Sequence, residues 1–336
     1  MAVAATTSES GLDRVWNEIC ELGLQNYVAD LDTHGYTVIP PEIASPNGLA
    51  DRMLAACLDI AERRNGERPD METGSTHAYL PITPRGSSVK GGRPKGRMPL
   101  GQRDAPDSPV GDIMHSIFFE DEVFEEALMN PVLLAMATYL CGYSVVLSGM
   151  GCWMKGPNRS TFRLHTDTPL ASPLPPQSMV CELMYVLTDF NRENGGTAFV
   201  PGSHRLCRNP DGRESIIGEG GNEDVVPVEA KAGSLVVWTG KTWHGSYNRT
   251  APGLRVSVPV YMVRPFIRTQ ENFIGRVPQE MLDRHPARFA ILMQQGVVPG
   301  YENPVDEATK ADYAERFVSA YAEELGGAFR AKDLYN

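Results

Sequence analysis

The feature that most limits the fold of this chain is a series of short, strand-like segments that begins after Gly142. Each segment is rich in apolar and β-branched residues, and turns with glycine, proline or asparagine separate them. In order, the segments read YSVVLSGMGCWMK, MVCELMYVLTDF, GTAFVP, GSLVVWTG and RVSVPVYMV. Several short strands with this punctuation predict a β-sandwich or a β-barrel.

Helical patterns flank these strands on both sides. Apolar positions at helical spacing between Gly11 and Asp32 predict one helix that ends before His34. Asn130 and Pro131 predict the N-cap and the first position of a later helix. Near the C-terminus one helical face is apolar, because large residues recur every four positions, at Tyr313, Phe317, Tyr321 and Leu325. This face indicates packing on the same chain and leaves a homodimer contact open.

We expect one domain that comprises all 336 residues. Its helical support would span residues 1–142, its strand core residues 143–265, and its C-terminal helices residues 266–336. A chain of this length removes about three quarters of its unfolded surface from water, so it can bury a sizeable core.

Composition narrows the choice of partners and compartment. The formal net charge of -11 argues against a nucleic-acid partner, because a phosphate backbone needs a basic face. No run of about 18 apolar residues predicts a membrane span, and the N-terminal residues lack the pattern of a secretory signal. The six cysteines show no zinc-binding spacing. The sequence therefore predicts a cytoplasmic protein that acts on a small molecule.

Three residues supply the ligands of an open iron site. His165 and Asp167 lie two positions apart, so in an extended segment their side chains point to the same side. His244 follows the strand-like run LVVWTG and would complete two imidazoles and one carboxylate. This set is typical of non-haem iron(II) oxygenases, which keep coordination positions open. On spacing alone, His204 competes as the third ligand.

The segment RVSVPVYMV alternates between two faces. Arg255, Ser257, Pro259 and Tyr261 share one face, and valines and Met262 lie on the other. An arginine that points inward is costly unless it is paired, so a bound carboxylate would explain Arg255, with its planar fork of donors. A pair with a surface acid is the alternative.

A glycine-rich stretch at residues 85–103 concentrates positive charge. One interpretation is a flexible connection, and the other is a lid whose cations meet an anionic substrate. The stretch contains no acidic residue and six basic ones, namely Arg85, Lys90, Arg93, Lys95, Arg97 and Arg103.

Three motifs in one order resemble the phytanoyl-CoA dioxygenase family of iron(II)- and 2-oxoglutarate-dependent oxygenases. They are HTD from His165, NGGTAFVPGSHR from Asn194, and HGSYNRTAPGLRVS from His244. The resemblance implies a double-stranded β-helix, or jelly roll, wrapped by N- and C-terminal helices. It also implies that the catalytic iron(II) is held by His165, Asp167 and His244.

The same resemblance assigns the co-substrate residues. Arg255 would bind the distal carboxylate of 2-oxoglutarate, with Ser257 assisting, and Thr197 matches a position that often hydrogen-bonds this co-substrate. His204 matches a family histidine that is not a ligand. Ser246 is a candidate support residue beside the iron, and Trp243 a candidate wall of the pocket.

The resemblance implies an oxidoreductase that uses O2 and 2-oxoglutarate and releases succinate and CO2. Hydroxylation of a small, largely apolar molecule in secondary metabolism is the expected reaction, and the carboxylate of Asp167 disfavours halogenation. A CoA thioester or another anionic substrate stays open. Two other classes also stay open: a zinc-dependent hydrolase with the same ligands, and a non-catalytic jelly-roll binding module.

Overall fold

The computed structural model describes residues 11–76, 109, 111–157, 160–295 and 319–325. Within these ranges the chain forms eleven β-strands, and most of them lie after Gly142, as the sequence predicts. The strands are β1 (Tyr36–Ile39), β2 (Asp112–Met114), β3 (Val146–Met150), β4 (Cys152–Lys155), β5 (Phe162–His165), β6 (Val180–Val186), β7 (Thr197–Phe199), β8 (Val226–Pro227), β9 (Leu235–Thr239), β10 (His244–Ser246) and β11 (Arg255–Val263).

The strands form two antiparallel sheets. The major sheet has the order β1-β9-β6-β11-β4-β2, and β3 also pairs with β11. The minor sheet has the order β5-β10-β7-β8. Side chains from both sheets line one cavity between them. The predicted fold class, a jelly-roll core with flanking helices, is confirmed.

Helices precede and follow the strand core. The described α-helices are α1 (Gly11–Glu21), α2 (Gln25–His34), α3 (Pro41–Ala44), α4 (Leu49–Asn65), α5 (Val123–Leu128), α6 (Pro131–Cys141), α7 (Gln279–Asp283), α8 (Ala287–Leu292) and α9 (Ala320–Glu324). Short 3-10 turns lie at Pro46–Gly48, Phe118–Glu120, Ser203–Leu206 and Gly212–Ser215. None of the helices in the described ranges combines the length and the apolar character needed to cross a lipid bilayer.

The prediction of one helix from Gly11 to Asp32 is wrong. Gly23 adopts a positive φ of 69°, which separates α1 from α2. The second helix continues through His34, and the left-handed Gly35 ends it by donating its N–H to the carbonyl of Leu31. Loss of the αR conformation at one glycine is enough to divide an otherwise continuous apolar pattern.

The helices cover one face of the major sheet. Leu183, Tyr185 and Val258 point to this side and are fully buried in the main hydrophobic core. The Tyr185 hydroxyl donates to the carbonyl of Ala127 at 2.8 Å. Asn130 is the N-cap of α6, as predicted, because its side chain accepts from the N–H of Val132.

The C-terminal helix packs on the same chain. Tyr321 and Leu325 are buried in a small cluster with Val15 and Tyr143. The other two members of the predicted apolar face, at positions 313 and 317, lie outside the described residues. So does the basic stretch at residues 85–103.

Candidate metal centre and adjoining cavity

The strand pairing of the minor sheet brings the three predicted ligands together. His165 ends β5, His244 begins β10, and their Cα atoms are register partners. Asp167 follows β5, and its N–H donates to the carbonyl of Gly240 at 2.9 Å. One potential ligand atom from each residue lies within 4.8 Å of the other two. The sequence motif HTD and the distant histidine therefore share one site.

A glycine allows the two histidine strands to approach. A Cβ atom at Gly245 would lie only 2.2 Å from the carbonyl oxygen of Phe162 on β5. Any larger residue would push β5 away from β10. The glycine after His244 is thus a steric requirement of this pairing.

Hydrogen bonds orient both imidazoles toward the same point. The Nδ1 atom of His165 lies 3.0 Å from the carbonyl oxygen of Arg163, and that of His244 lies 3.0 Å from the carbonyl of Thr242. A carbonyl oxygen can only accept, so each Nδ1 carries the proton and each Nε2 keeps a lone pair. Both Nε2 atoms face Asp167, at 3.7 Å for His165 and 3.3 Å for His244. This is the arrangement that a metal-binding histidine needs.

Burial keeps His244 neutral. The residue is 6% exposed, and desolvation lowers its pKa to about 4, although the carboxylate of Asp167 opposes this shift. A neutral imidazole at physiological pH is the form that binds a metal.

Two side chains of the major sheet fix Asp167. The Nε1–H of Trp238 donates to Oδ2 of Asp167 at 2.9 Å, and the hydroxyl of Tyr261 donates to its backbone carbonyl at 2.8 Å. These bonds set the direction of the carboxylate before any ligand arrives.

Arg255 is a buried cation on the inner face of β11. It is 3% exposed, its Nη1 donates to the carbonyl of Gly195 at 2.5 Å, and its guanidinium lies 4.7 Å from the ring centre of Phe190. Its buried Nε has no hydrogen-bond partner in the described structure. Burial, with repulsion from Arg249, lowers the pKa of Arg255 to about 9, so the group is charged at neutral pH.

Ser257 and Thr197 are the other two predicted co-substrate residues, and of the two only Thr197 lines the cavity. Ser257 follows Arg255 on the same face of β11, and its buried hydroxyl also lacks a partner among the described residues. Thr197 begins β7 and lines the cavity beside Arg255 and the two histidines. A buried guanidinium and an unsatisfied hydroxyl are the kind of groups that can bind a carboxylate, and the co-substrate role of these residues stays a prediction.

The proposed ligands line two adjoining spaces that share wall residues. An inner cavity with an empty volume of about 490 Å³ contains all three ligands, Thr197 and Arg255. An outer pocket with an empty volume of about 1020 Å³ also touches His165 and Asp167. Six residues line both spaces: Trp153, Phe162, His165, Asp167, Glu182 and Pro259.

Three further residues that the sequence singled out lie at different distances from the site. Trp243 does not line either space, because its indole packs under Arg208 and donates to the carbonyl of Arg208 at 2.8 Å. Ser246 lines the inner cavity, and its hydroxyl accepts from the buried amine of Lys155 at 3.0 Å. His204 lies near the backbone of Asp32, away from the ligands.

Sequence reasoning missed three residues that build the site. Trp238 holds the metal-facing carboxylate, Glu182 forms part of the wall, and Lys155 supports Ser246. A signal for Glu182 was present, since it is the single acidic residue in the strand-like run MVCELMYV. Its position on the inner face follows from the alternation of that run.

The fold and the three-residue centre define a class of protein, the jelly-roll proteins with two histidines and one carboxylate at a shared site. The sequence profile of the family "Phytanoyl-CoA dioxygenase (PhyH)" matches residues 94–257, which include every predicted ligand and co-substrate residue. This part of the chain is similar to the phytanoyl-CoA dioxygenase family. The resemblance that its motifs carry is thereby confirmed.

Named relatives include fungal dioxygenases. "Dioxygenase af480" of Aspergillus fumigatus is 28% identical over 163 residues, which are 48% of this chain and 51% of that protein. "Fe(II)/2-oxoglutarate-dependent dioxygenase nvfF" of Aspergillus novofumigatus is 32% identical over 126 residues, 36% of this chain and 39% of that protein. The match thus spans about half the length of the first relative and less of the second.

Solved structures with the same fold include iron-bound HygX from Streptomyces hygroscopicus. It superposes with a TM-score of 0.50 at 13% sequence identity, over 76% of this chain and 92% of that one. At this level of identity the likeness concerns the fold.

Proposed function

We propose that this protein is an iron(II)- and 2-oxoglutarate-dependent dioxygenase that hydroxylates a C–H bond of a small, largely apolar molecule in secondary metabolism. The observation that carries the proposal is the position of a buried guanidinium, without a carboxylate partner among the described residues, in the cavity of a two-histidine, one-carboxylate centre. An anionic co-substrate at the metal supplies the missing partner.

In this proposal His165, Asp167 and His244 hold the iron. The donor set fits, because both Nε2 atoms carry free lone pairs and the carboxylate already points toward them. Two imidazoles and one carboxylate leave positions open for further ligands. Trp238 and Tyr261 keep Asp167 in place, so the protein does not have to reorganise when the metal binds.

Arg255, Ser257 and Thr197 would bind 2-oxoglutarate. The guanidinium of Arg255 already donates once, to the carbonyl of Gly195, and its Nε–H and the Ser257 hydroxyl, which lack partners among the described residues, can donate to the distal carboxylate. The phenyl ring of Phe190 holds the guanidinium plane. Binding of this carboxylate would give hydrogen-bond partners to two buried polar atoms that lack them.

Bound iron(II) with 2-oxoglutarate supplies the oxidation of a C–H bond by O2, with succinate and CO2 as co-products. The chain's own part is to fix the ligands and keep water away. Apolar walls from Trp153, Phe162 and Met184 surround the centre and provide that exclusion. The substrate would occupy the outer pocket, which opens beside His165 and Asp167.

The same proposal extends to the organisation of the protein, as one domain over residues 1–336 that acts in the cytoplasm on a small molecule. The acidic net charge of -11 argues against a nucleic-acid partner. A zinc hydrolase with the same ligands would leave the buried charge of Arg255 without a partner.

The test is an anaerobic titration of the apo protein with iron(II) and 2-oxoglutarate, followed by ultraviolet-visible absorption. We expect a weak metal-to-ligand charge-transfer band in the wild type and no band in Asp167→Ala. Arg255→Met should need at least about 30-fold more 2-oxoglutarate, because a buried charge pair is worth about 2 kcal/mol or more.

Arg163→Met is the matched control, since this arginine is exposed and only its backbone carbonyl contacts His165. It should titrate like the wild type. A folded wild-type protein that shows no band would contradict the proposed function.

A further inference from the structure

Glu182 is an acidic residue in the interior whose carboxyl group has no hydrogen-bond partner among the described residues. It is 6% exposed and lies in the middle of β6, which is otherwise apolar. In the part of the chain that the structure describes, its one electrostatic interaction is with Asp167, and no donor contacts its carboxyl group. An unsatisfied carboxyl inside a protein is costly, so it indicates a partner that is not part of the fold.

The position of Glu182 directs this carboxyl at the reaction site. On the two neighbouring strands its register partners are Tyr261 and Trp238, and side chains directly opposite each other share one face of a sheet. Both of these partners hold Asp167. Glu182 lies between them and lines both the inner cavity and the outer pocket. A molecule in the outer pocket would therefore meet Glu182 next to the metal.

Apart from the proposed metal ligands, the outer pocket has one other acidic residue, Glu271, and its further polar residues are His115, Thr166, Tyr261 and Gln270. Glu271 is partly buried in this pocket. One of its carboxylate oxygens accepts a hydrogen bond from the N–H of Met150 at 3.2 Å. Of the described residues that line this pocket, none is a lysine or an arginine. Its other walls are largely apolar, formed by Met150, Trp153, Phe162, Pro169 and Pro259. Such a lining opposes an anionic substrate and favours one that donates hydrogen bonds.

We propose that Glu182 is a substrate-binding residue, and that the pocket takes a molecule with an apolar body that places a hydroxyl or amino group against this carboxyl. The inference rests on the proposed function, because it assigns the outer pocket to the substrate.

Burial is consistent with a carboxyl that works as a hydrogen-bonding group. Desolvation, and then the nearby charge of Asp167, raise the pKa of Glu182 above its usual range. A hydroxyl of the substrate satisfies either protonation state, and an ammonium group would stabilise the carboxylate.

The experiment measures the binding of four probes with the same apolar ring and different head groups. They are cyclohexylmethanol, cyclohexylmethylamine, cyclohexanecarboxylate and methylcyclohexane. The protein is loaded anaerobically with iron(II) and 2-oxoglutarate at pH 7.5, and tryptophan fluorescence reports binding, since Trp153 and Trp238 line the cavity. We expect the alcohol or the amine to bind at least tenfold more tightly than the carboxylate and the hydrocarbon, as for one hydrogen bond to a charged group.

Two variants separate the two head groups. Glu182→Gln keeps an acceptor without charge, so alcohol binding should stay within threefold, whereas amine binding should fall at least tenfold. Glu182→Leu removes the acceptor and should abolish the preference over methylcyclohexane. Glu229→Gln, an exposed glutamate outside both spaces, should leave every affinity unchanged.

Each outcome decides the proposal. Equal or tighter binding of cyclohexanecarboxylate, a preference that survives in Glu182→Leu, or no binding of any probe would overturn it. The charge-transfer band, recorded first for every variant, reports folding and the occupied centre. Loss of the band in the wild type contradicts the proposed function, whereas a normal band with the wrong probe preference contradicts only the role of Glu182.

Discussion

The two faces of the major sheet differ in how they treat polar groups. Toward the helices, β6 and β11 present Leu183, Tyr185 and Val258, and the one polar atom of Tyr185 is hydrogen-bonded. Toward the minor sheet, the intervening positions present the buried side chains of Glu182 and Arg255. Among the described residues, no donor contacts the carboxyl of Glu182, and Nε of Arg255 has no partner. The first face stabilises the fold. The second leaves buried polar atoms available to bind a ligand. Their burial destabilises the fold, and the packing of the first face offsets that loss.

The sharpest test of this difference compares neighbours on β6. Leu183→Ala should lower the free energy of unfolding by about 2–5 kcal/mol, because it leaves a cavity in a close-packed core. Glu182→Leu, one position earlier, should leave stability unchanged or raise it, since it removes a buried, unpartnered carboxyl. Urea denaturation of both variants in the presence of a chelator measures this. Similar losses in the two variants would remove the distinction between the faces.

Acidification should lower the free energy of unfolding through His244, which lines the cavity between the two sheets. His244 has a pKa of about 4 in the folded protein, against 6.5 when unfolded, so between these values the unfolded chain binds more protons. The stabilisation is complete above pH 6.5, and about 3 kcal/mol is lost as the pH falls to 4. Urea denaturation of the metal-free protein at several pH values should show a shallower pH dependence in His244→Gln. Parallel curves for this variant and the wild type would contradict the assignment.

The hydrogen bond that supports Asp167 can be removed while an aromatic ring is kept in the cavity wall. Trp238→Phe deletes the N–H that donates to Oδ2, and iron(II) affinity should fall about 10–100-fold, as for other residues that orient a metal ligand. Trp243→Phe deletes an equivalent bond to Arg208 outside the cavity, so its iron affinity should stay at the wild-type value. Anaerobic metal titrations measure both. Equal losses would mean that the effect comes from packing and not from Asp167.

The smallest expected effect is the change in stability when a single polar group is removed from the helical layer or from the cavity face. Asn130→Ala removes an N-cap from the helical layer and should cost about 1 kcal/mol of stability, with a further loss from the bond to Ala44. Ser257→Ala removes a hydroxyl that has no partner in the described structure, so stability should change by less than about 0.5 kcal/mol. Thermal unfolding of the two variants checks this. A larger loss from Ser257 would show that its hydroxyl is already satisfied.

Much of the cavity could be predicted because strand alternation acts over a few residues. The pattern of RVSVPVYMV places Arg255, Ser257, Pro259 and Tyr261 on one face, and the structure has Val256, Val258 and Val260 in the core on the other. That His165 and His244 share one site is predicted from the order of the three motifs. Spacing alone cannot show which distant strands pair. Their metal and co-substrate roles stay predictions, as does the single-domain organisation.

The remainder depended on tertiary structure. Trp238 and Trp243 are five residues apart, and only the end of β9 at Thr239 decides which of them faces the centre. The break at Gly23 depended on a positive φ that helical periodicity does not encode. Glu182 had a local signal, but its isolation becomes visible only when the neighbouring strands are in place.

The pairing of β5 with β10 has a mechanical consequence. Strand β5 is the edge of the minor sheet, with four residues and an irregular register, and its one pairing partner among the described strands is β10. In the proposed centre, an ion bound by His165 on β5 and His244 on β10 would cross-link the edge strand of the minor sheet to its neighbour. Metal binding would then stabilise the position of β5 in the pocket wall, so that the pocket is fully ordered only when the metal is bound.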